Sequence, residues 1–175
     1  WFAEDFTLAE LKTLRAKERL PDPLRTANKR FNGDFTVPTF EEVLIFVKAT
    51  NERFKTEAKL AGLKTPRQIG VYPETKHPTY FDGLGLSLEE PLLRSLNRHG
   101  FSGRPELVFI QSFEVSNLKQ LRGRTTLPLV QLLNAGGRPY DFVVKGDART
   151  YADLATAAGL AEIATYADGV GVNKN

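Results

Sequence analysis

The chain has 175 residues, 41% of them hydrophobic, enough to bury the core of one domain or of a large piece of one, and its bulk composition gives no sign of disorder. A net charge of +3, from 24 basic and 21 acidic residues spread along the chain, makes a nucleic-acid partner a weak expectation; a phosphate-bearing small molecule or a plain solvated surface fits it equally well. The absence of cysteine excludes a disulfide framework, a zinc–thiolate site and a thiol nucleophile, no apolar run approaches the roughly 20 residues that span a bilayer, and Trp1-Phe2-Ala3-Glu4-Asp5 lacks the pattern of a signal peptide.

Thr7-Leu8-Ala9-Glu10 predicts a capping box that opens a short helix with Leu8, Leu11 and Leu14 as its apolar stripe. From Lys17 to Asp34 the pattern dissolves into charges, prolines, Asn28 and Gly33, which predicts a surface connection. Thr39-Phe40-Glu41-Glu42 predicts a second capping box, and Phe40, Val43, Leu44 and Val47 an amphipathic helix running to about Phe54. Ile69-Gly70-Val71-Tyr72 predicts a strand that ends in Pro-Glu-Thr-Lys. Ser87-Leu88-Glu89-Glu90 predicts a third capping box, with Leu88, Leu92, Leu93 and Leu96 turned inward and Gly100 as the stop.

Leu107 to Phe113 predicts a further strand, followed by a helix through Leu118 and Leu121; Leu127 to Leu133 repeats the strand pattern. A helical stretch from about Thr150 to Ala167, interrupted at Gly159, leads to Asp168-Gly169-Val170-Gly171-Val172. Strand and helix thus alternate, which predicts a parallel sheet with helices outside it, either open and doubly wound or closed into a β/α barrel. No dinucleotide fingerprint or P-loop favours the open form.

Ligands of such sheets bind where strands end. Glu74 and Lys76, two residues apart just past a strand, point the same way if the extended conformation persists, roughly 7 Å apart along the backbone. There a carboxylate can bind a hard divalent cation and a lysine can hold a phosphate oxygen; a plain salt bridge is the other reading. Pro73 marks the strand's end because it has no N–H for the ladder. His77 is expected to point away from Lys76 and to be structural, and His99, the other of the two histidines, sits at a helix end and is not expected to be catalytic. Gln111, Phe113 and Gln131 occupy what look like analogous strand ends, either lining a substrate pocket or satisfying neighbouring side chains. Gly169 and Gly171 leave little bulk on the last strand's inner face, giving room for a ligand or for close strand packing.

Asp5-Phe6-Thr7-Leu8-Ala9-Glu10-Leu11-Lys12, Pro38-Thr39-Phe40-Glu41-Glu42-Val43, Tyr72-Pro73-Glu74-Thr75-Lys76, Ile110-Gln111-Ser112-Phe113 and Ala167-Asp168-Gly169-Val170-Gly171 occur in an order that resembles the glycerophosphodiester phosphodiesterases, in particular their bacterial branch. The resemblance implies a TIM-type β/α barrel and metal-dependent hydrolysis of glycerophosphodiesters to an alcohol and glycerol 3-phosphate. It implies Glu74 as one of the carboxylate ligands of a calcium or magnesium ion, Lys76 as a catalytic phosphate contact, and Gln111 and Phe113 as pocket residues; Gln131 is expected to bind substrate from its strand-end position alone. It favours a periplasmic or secreted enzyme.

The same resemblance implies that the His-Arg-Gly motif, the Glu-x-Asp metal pair and a second catalytic histidine precede Trp1 and that the last barrel strand follows Asn175. The expected fold is therefore a partial barrel within a single domain, residues 1–34 forming a helix and a surface connection and residues 35–175 alternating helices and barrel strands. Missing segments or a second chain would complete it. A non-catalytic relative of the barrel and another phosphodiesterase on the same barrel are the competing expectations.

Overall fold

The computed structural model of the chain describes residues 2–20 and 25–173. The chain divides into two compact units, Trp1–Val43 and Leu44–Asn175.

In the first unit a 3-10 turn, Ala3–Asp5, precedes helix α1, Leu8–Leu11. The predicted capping box forms: the Thr7 hydroxyl accepts the Glu10 N–H at 3.3 Å, and the Glu10 carboxylate accepts the Thr7 N–H at 2.7 Å. The predicted stripe does not bury, since Leu8 and Leu14 stay exposed and the helix stops after four residues. The expected surface connection contains a 3-10 turn, Thr26–Phe31, and is tied at its ends by Ala16, whose N–H donates to the Phe35 carbonyl at 2.7 Å and whose carbonyl accepts from Gly33 at 3.0 Å. Residues 21–24 of that connection lie outside the described residues. Lys12 donates to the Val37 carbonyl at 2.9 Å and ion-pairs with Glu42.

Helix α2, Phe40–Leu60, opens at the Thr39–Glu42 box and continues past the expected end at Phe54. Its buried face, Leu44, Val47, Asn51 and Ala58, keeps helical spacing to the last turn, and Gly62 at φ +67° closes it while Leu63 N–H reaches the Ala58 carbonyl at 2.9 Å. Asn51 grips the entry to the first extended segment: its amide donates to the Ile69 carbonyl and its oxygen accepts the Ile69 N–H, both at 2.9 Å.

Two short helices follow, α3, Pro78–Gly83, and α4, Glu89–Arg98. The third predicted capping box is not made. Ser87 instead donates its hydroxyl to the Glu89 carboxylate at 2.6 Å, because Glu89 is drawn into the interior, fully buried, to accept from the Asn117 amide. Strand β1, Ile110–Ser112, helix α5, Val115–Arg122, and strand β2, Leu129–Leu133, come next. Helix α6, Tyr140–Lys145, was not expected; it starts after Pro139 in a glycine-rich stretch too short to show a helical period. The predicted helix from Thr150 to Ala167 is two helices, α7, Tyr151–Leu154, and α8, Ala157–Ile163, before strand β3, Gly169–Val172. The break falls at Thr156, which recaps the chain by accepting the Gly159 N–H at 3.2 Å. Gly159 sits inside α8 because a Cβ there would lie 2.4 Å from the Asp153 carbonyl oxygen.

The three strands form one parallel sheet in the order β1-β2-β3. Val71 to Glu74 joins β1's free edge through parallel bridges Val71↔Val108 and Glu74↔Gln111; Pro73, with no N–H to give, interrupts what would otherwise be a regular strand. Register fixes the faces. Ile110 pairs with Leu129 and Ser112 with Gln131, all fully buried against the helices with Leu118, Leu121 and Leu96. Each such leucine or isoleucine is worth about 1.5–3 kcal/mol of transfer free energy. The opposite face carries Phe109, Gln111, Phe113 and Leu132. On it Tyr72, 50% exposed, and Phe109, 45% exposed, meet edge-on at 6.3 Å, and among the described residues no further strand covers either sheet edge.

Candidate active site

The segment Tyr72-Pro73-Glu74-Thr75-Lys76 leaves the sheet with alternating side chains. Thr75 turns into the interior, where its hydroxyl donates to the Asn117 carbonyl oxygen at 2.6 Å; Asn117 in turn donates to Glu89. The Ser112 hydroxyl donates to the Thr75 carbonyl at 3.2 Å, and the Thr75 N–H to the Gln111 carbonyl at 3.1 Å. Fixing Thr75 inward forces its neighbours outward. Glu74 and Lys76 accordingly share the other face, Lys76 Nζ 3.5 Å from Glu74 Oε1 and 5.9 Å from the centre of the Phe113 ring. The lysine side chain is 67% exposed, so this contact is weak on its own account and the ammonium stays available to a ligand.

Two cavities adjoin there. One of about 430 Å³ is lined by Glu74, Lys76, His77, Phe113, Glu114 and Tyr151 among others. The second, of about 390 Å³, is lined by Tyr72, Gln111, Leu132 and Gly171, and shares Phe113 and Asn134 with the first. Every strand of the parallel array contributes at or just past its carboxyl end, the place where parallel α/β sheets bind ligands.

Glu74, Lys76, Gln111 and Phe113 are thus brought together, Gln111 with its amide donating to the Tyr72 carbonyl at 3.0 Å. Gln131 is not. It pairs with Ser112 rather than Gln111, and one residue of register moves its side chain to the helix face. There it is fully buried and satisfied, accepting from the Tyr166 hydroxyl at 3.0 Å and donating to the Phe113 and Leu132 carbonyls at 3.1 and 3.0 Å. His77 departs from expectation in the other direction. Its backbone adopts φ +52°, which breaks the alternation and turns the ring to the cavity wall, edge-on to Tyr140 at 6.3 Å. The space beside Gly171 is taken by Leu132, whose Cδ2 would lie 2.6 Å from an added Cβ. Asp168 lies at the opposite end of the sheet, joining β2 and β3 by accepting the Leu129 N–H at 2.8 Å and pairing with Arg122.

Glu114 and Tyr151 are cavity residues that the sequence did not single out. Burial pushes the Glu114 carboxyl above the usual carboxylate range, against hydrogen bonds from Thr79 and with a further upward push from Asp141. Burial, with Glu114 and Asp141 nearby, lifts the Tyr151 phenol to about 12. An acid directly before a helix reads as a cap, and Glu114 occupies that position without capping. The only available signal was its place next to Phe113 at a strand end.

Among the described residues no group of three or more His, Asp or Glu side chains converges to hold a metal ion. Among the described residues Glu74 and Glu114 are the carboxylates that line the strand-end cavity, and two carboxylates do not make a complete metal centre. No described helix is long and apolar enough to cross a membrane.

A parallel α/β sheet thus gathers a carboxylate, a lysine and aromatic rings at its strand ends. Residues 2–174 match the glycerophosphoryl diester phosphodiesterase family, and the chain belongs to it. It is 28% identical to a glycerophosphodiester phosphodiesterase of Arabidopsis thaliana, over 98% of this chain and 43% of that protein. Proteins of the same name from Bacillus subtilis, 32% identical over 97% of this chain and 47% of theirs, and from Haemophilus influenzae, 24% identical over 98% and 49%, are also similar. The chain spans about half the length of the curated relatives it matches.

Proposed function

We propose that the intact protein hydrolyses glycerophosphodiesters to an alcohol and glycerol 3-phosphate, and that Lys76 is the phosphate contact of that site. The observation that carries this reading is the pairing of Glu74 and Lys76 on one face at a strand end, above Phe113, held there by the inward anchor of Thr75. An ammonium in this position binds a non-bridging phosphate oxygen and offsets the negative charge that gathers as the ester bond breaks. Phe113 packs on the carbon skeleton and Gln111, beside it, faces the hydroxyls.

In this reading the parallel strands are one arc of a TIM-type β/α barrel, and the chain is part of a single domain whose other strands come from elsewhere in the protein or from a second chain. A calcium or magnesium ion belongs to the proposal, with Glu74 as one ligand and the others outside the described residues. When bound, such an ion would supply Lewis-acid chemistry to the phosphoryl group, with Glu74 helping to hold it.

The test is release of glycerol 3-phosphate by the intact protein from a glycerophosphodiester, before and after chelation. Release that stops on chelation and returns with calcium or magnesium is expected; no release with either ion present overturns the proposal.

A further inference from the structure

The cavity beside Lys76 holds an acidic end that phosphate binding leaves unused. Glu114, 2% exposed, is one of its wall residues. The Glu114 Oε2 accepts the Thr79 N–H at 3.0 Å, while Oε1 has no hydrogen-bond partner. Behind it Asp141, fully buried, repeats the imbalance: Oδ2 accepts the Ser116 N–H at 2.7 Å and hydroxyl at 2.6 Å, and Oδ1 has no partner. Among the described residues neither carboxyl makes an ion pair.

A buried acceptor without a donor is costly, and two neighbouring carboxyls that make no ion pair are more so, the nearby His77 offsetting Glu114 only in part. The upward push on the Glu114 carboxyl is the same deficit seen as proton affinity. A ligand in the cavity that brings a positive charge and an N–H donor together supplies what Glu114 lacks; Asp141 does not line the cavity and adds only its negative charge from behind. The walls suit a cation: Phe113 and Tyr151 meet edge-on at 6.0 Å, and Tyr140 stands opposite His77. Arg138 also borders the cavity, but it is exposed and its guanidinium donates to the Asp147 carbonyl at 3.2 Å.

We propose that Glu114 binds the alcohol portion of the substrate and selects an alcohol bearing a primary ammonium group over one bearing a quaternary ammonium or no charge. This rests on the phosphodiester reading, with the phosphate at Lys76 and the alcohol directed toward Glu114. Aromatic walls attract both kinds of cation, so the unpaired oxygen decides between them. A primary ammonium donates to Oε1; a quaternary ammonium has no N–H and leaves the defect in place.

The experiment compares kcat/KM of the intact protein on the glycerol 3-phosphate diesters of ethanolamine, choline and glycerol. The ethanolamine diester is expected to be favoured at least about tenfold over the other two, a modest share of what a hydrogen-bonding site can discriminate. Glu114→Gln is expected to lose at least about tenfold more on the ethanolamine diester than on the choline diester. Equal or better use of the choline or glycerol diester by the unmodified protein overturns the proposal, as does a Glu114→Gln loss in equal proportion on all three. If Glu114→Gln does not fold, the unmodified protein's own preference decides. If no diester is hydrolysed, the phosphodiesterase reading fails, and calorimetric titration with ethanolamine and with choline decides the ammonium site separately. Ethanolamine binding tighter than choline binding upholds it, and no ethanolamine binding overturns it.

Discussion

Thr75 is the residue on which the site's geometry turns, because a single inward hydroxyl sets which way Glu74 and Lys76 face. Thr75→Val keeps the shape but leaves the Asn117 oxygen without its donor, which is expected to cost about 1–3 kcal/mol in denaturant unfolding. Thr75→Ser, which keeps the hydroxyl, is expected to recover most of that. Equal midpoints for Thr75→Val and the unmodified protein would contradict the anchoring role. Glu114 carries a prediction of the opposite kind. Burial holds its proton more tightly in the folded state than the ordinary glutamate value of about 4.3 in the unfolded chain. Between that value and the raised one the folded state binds the extra proton, so this contribution to stability is present at low pH and is lost as pH rises. Melting of the unmodified protein is therefore expected to fall behind that of Glu114→Gln as pH rises above the ordinary glutamate value; parallel profiles would refute it.

At the scale of elements, close approach decides which glycines matter. A Cβ on Gly70 would lie 2.4 Å from the Leu107 carbonyl oxygen, whereas one on Gly171 would meet the end of the Leu132 side chain at 2.6 Å. Backbone cannot give way as a leucine can. Gly70→Ala is expected to cost about 1–3 kcal/mol, and more than Gly171→Ala, when both are unfolded in denaturant; the reverse order would contradict this packing. The sequence carried the strand and long-helix pattern well, because Leu129, Leu133, Leu118 and Leu121 keep the periods of their elements and are buried on schedule. It carried the shared face of Glu74 and Lys76 for the same reason. It misplaced Gln131 because register between strands depends on pairing, which no local pattern states. It misread His77 because one left-handed residue ends the alternation, and it missed α6 because a six-residue helix has too few turns to reveal a period. Glu114 was passed over because burial, rather than spacing, gives it its chemistry.

For the whole molecule, the two faces of the sheet have different fates. The helix face is filled by apolar side chains and by polar groups that satisfy one another, as Gln131 and Tyr166 do. The other face carries Tyr72, Phe109, Gln111 and Phe113, with the Glu74–Lys76 pair at its carboxyl-end rim. This division separates the helix-face residues that hold the scaffold from the Glu74–Lys76 pair at the strand ends. Lys76 contributes little to the fold and, in the proposed reaction, much to the transition state. Phosphate binding by Lys76 is tested by kcat/KM of Lys76→Ala against the unmodified intact protein on a glycerophosphodiester. A fall of about 100-fold or more with the melting temperature essentially unchanged is predicted, the size expected when an electrostatic contact to developing charge is removed. An unchanged kcat/KM would contradict it.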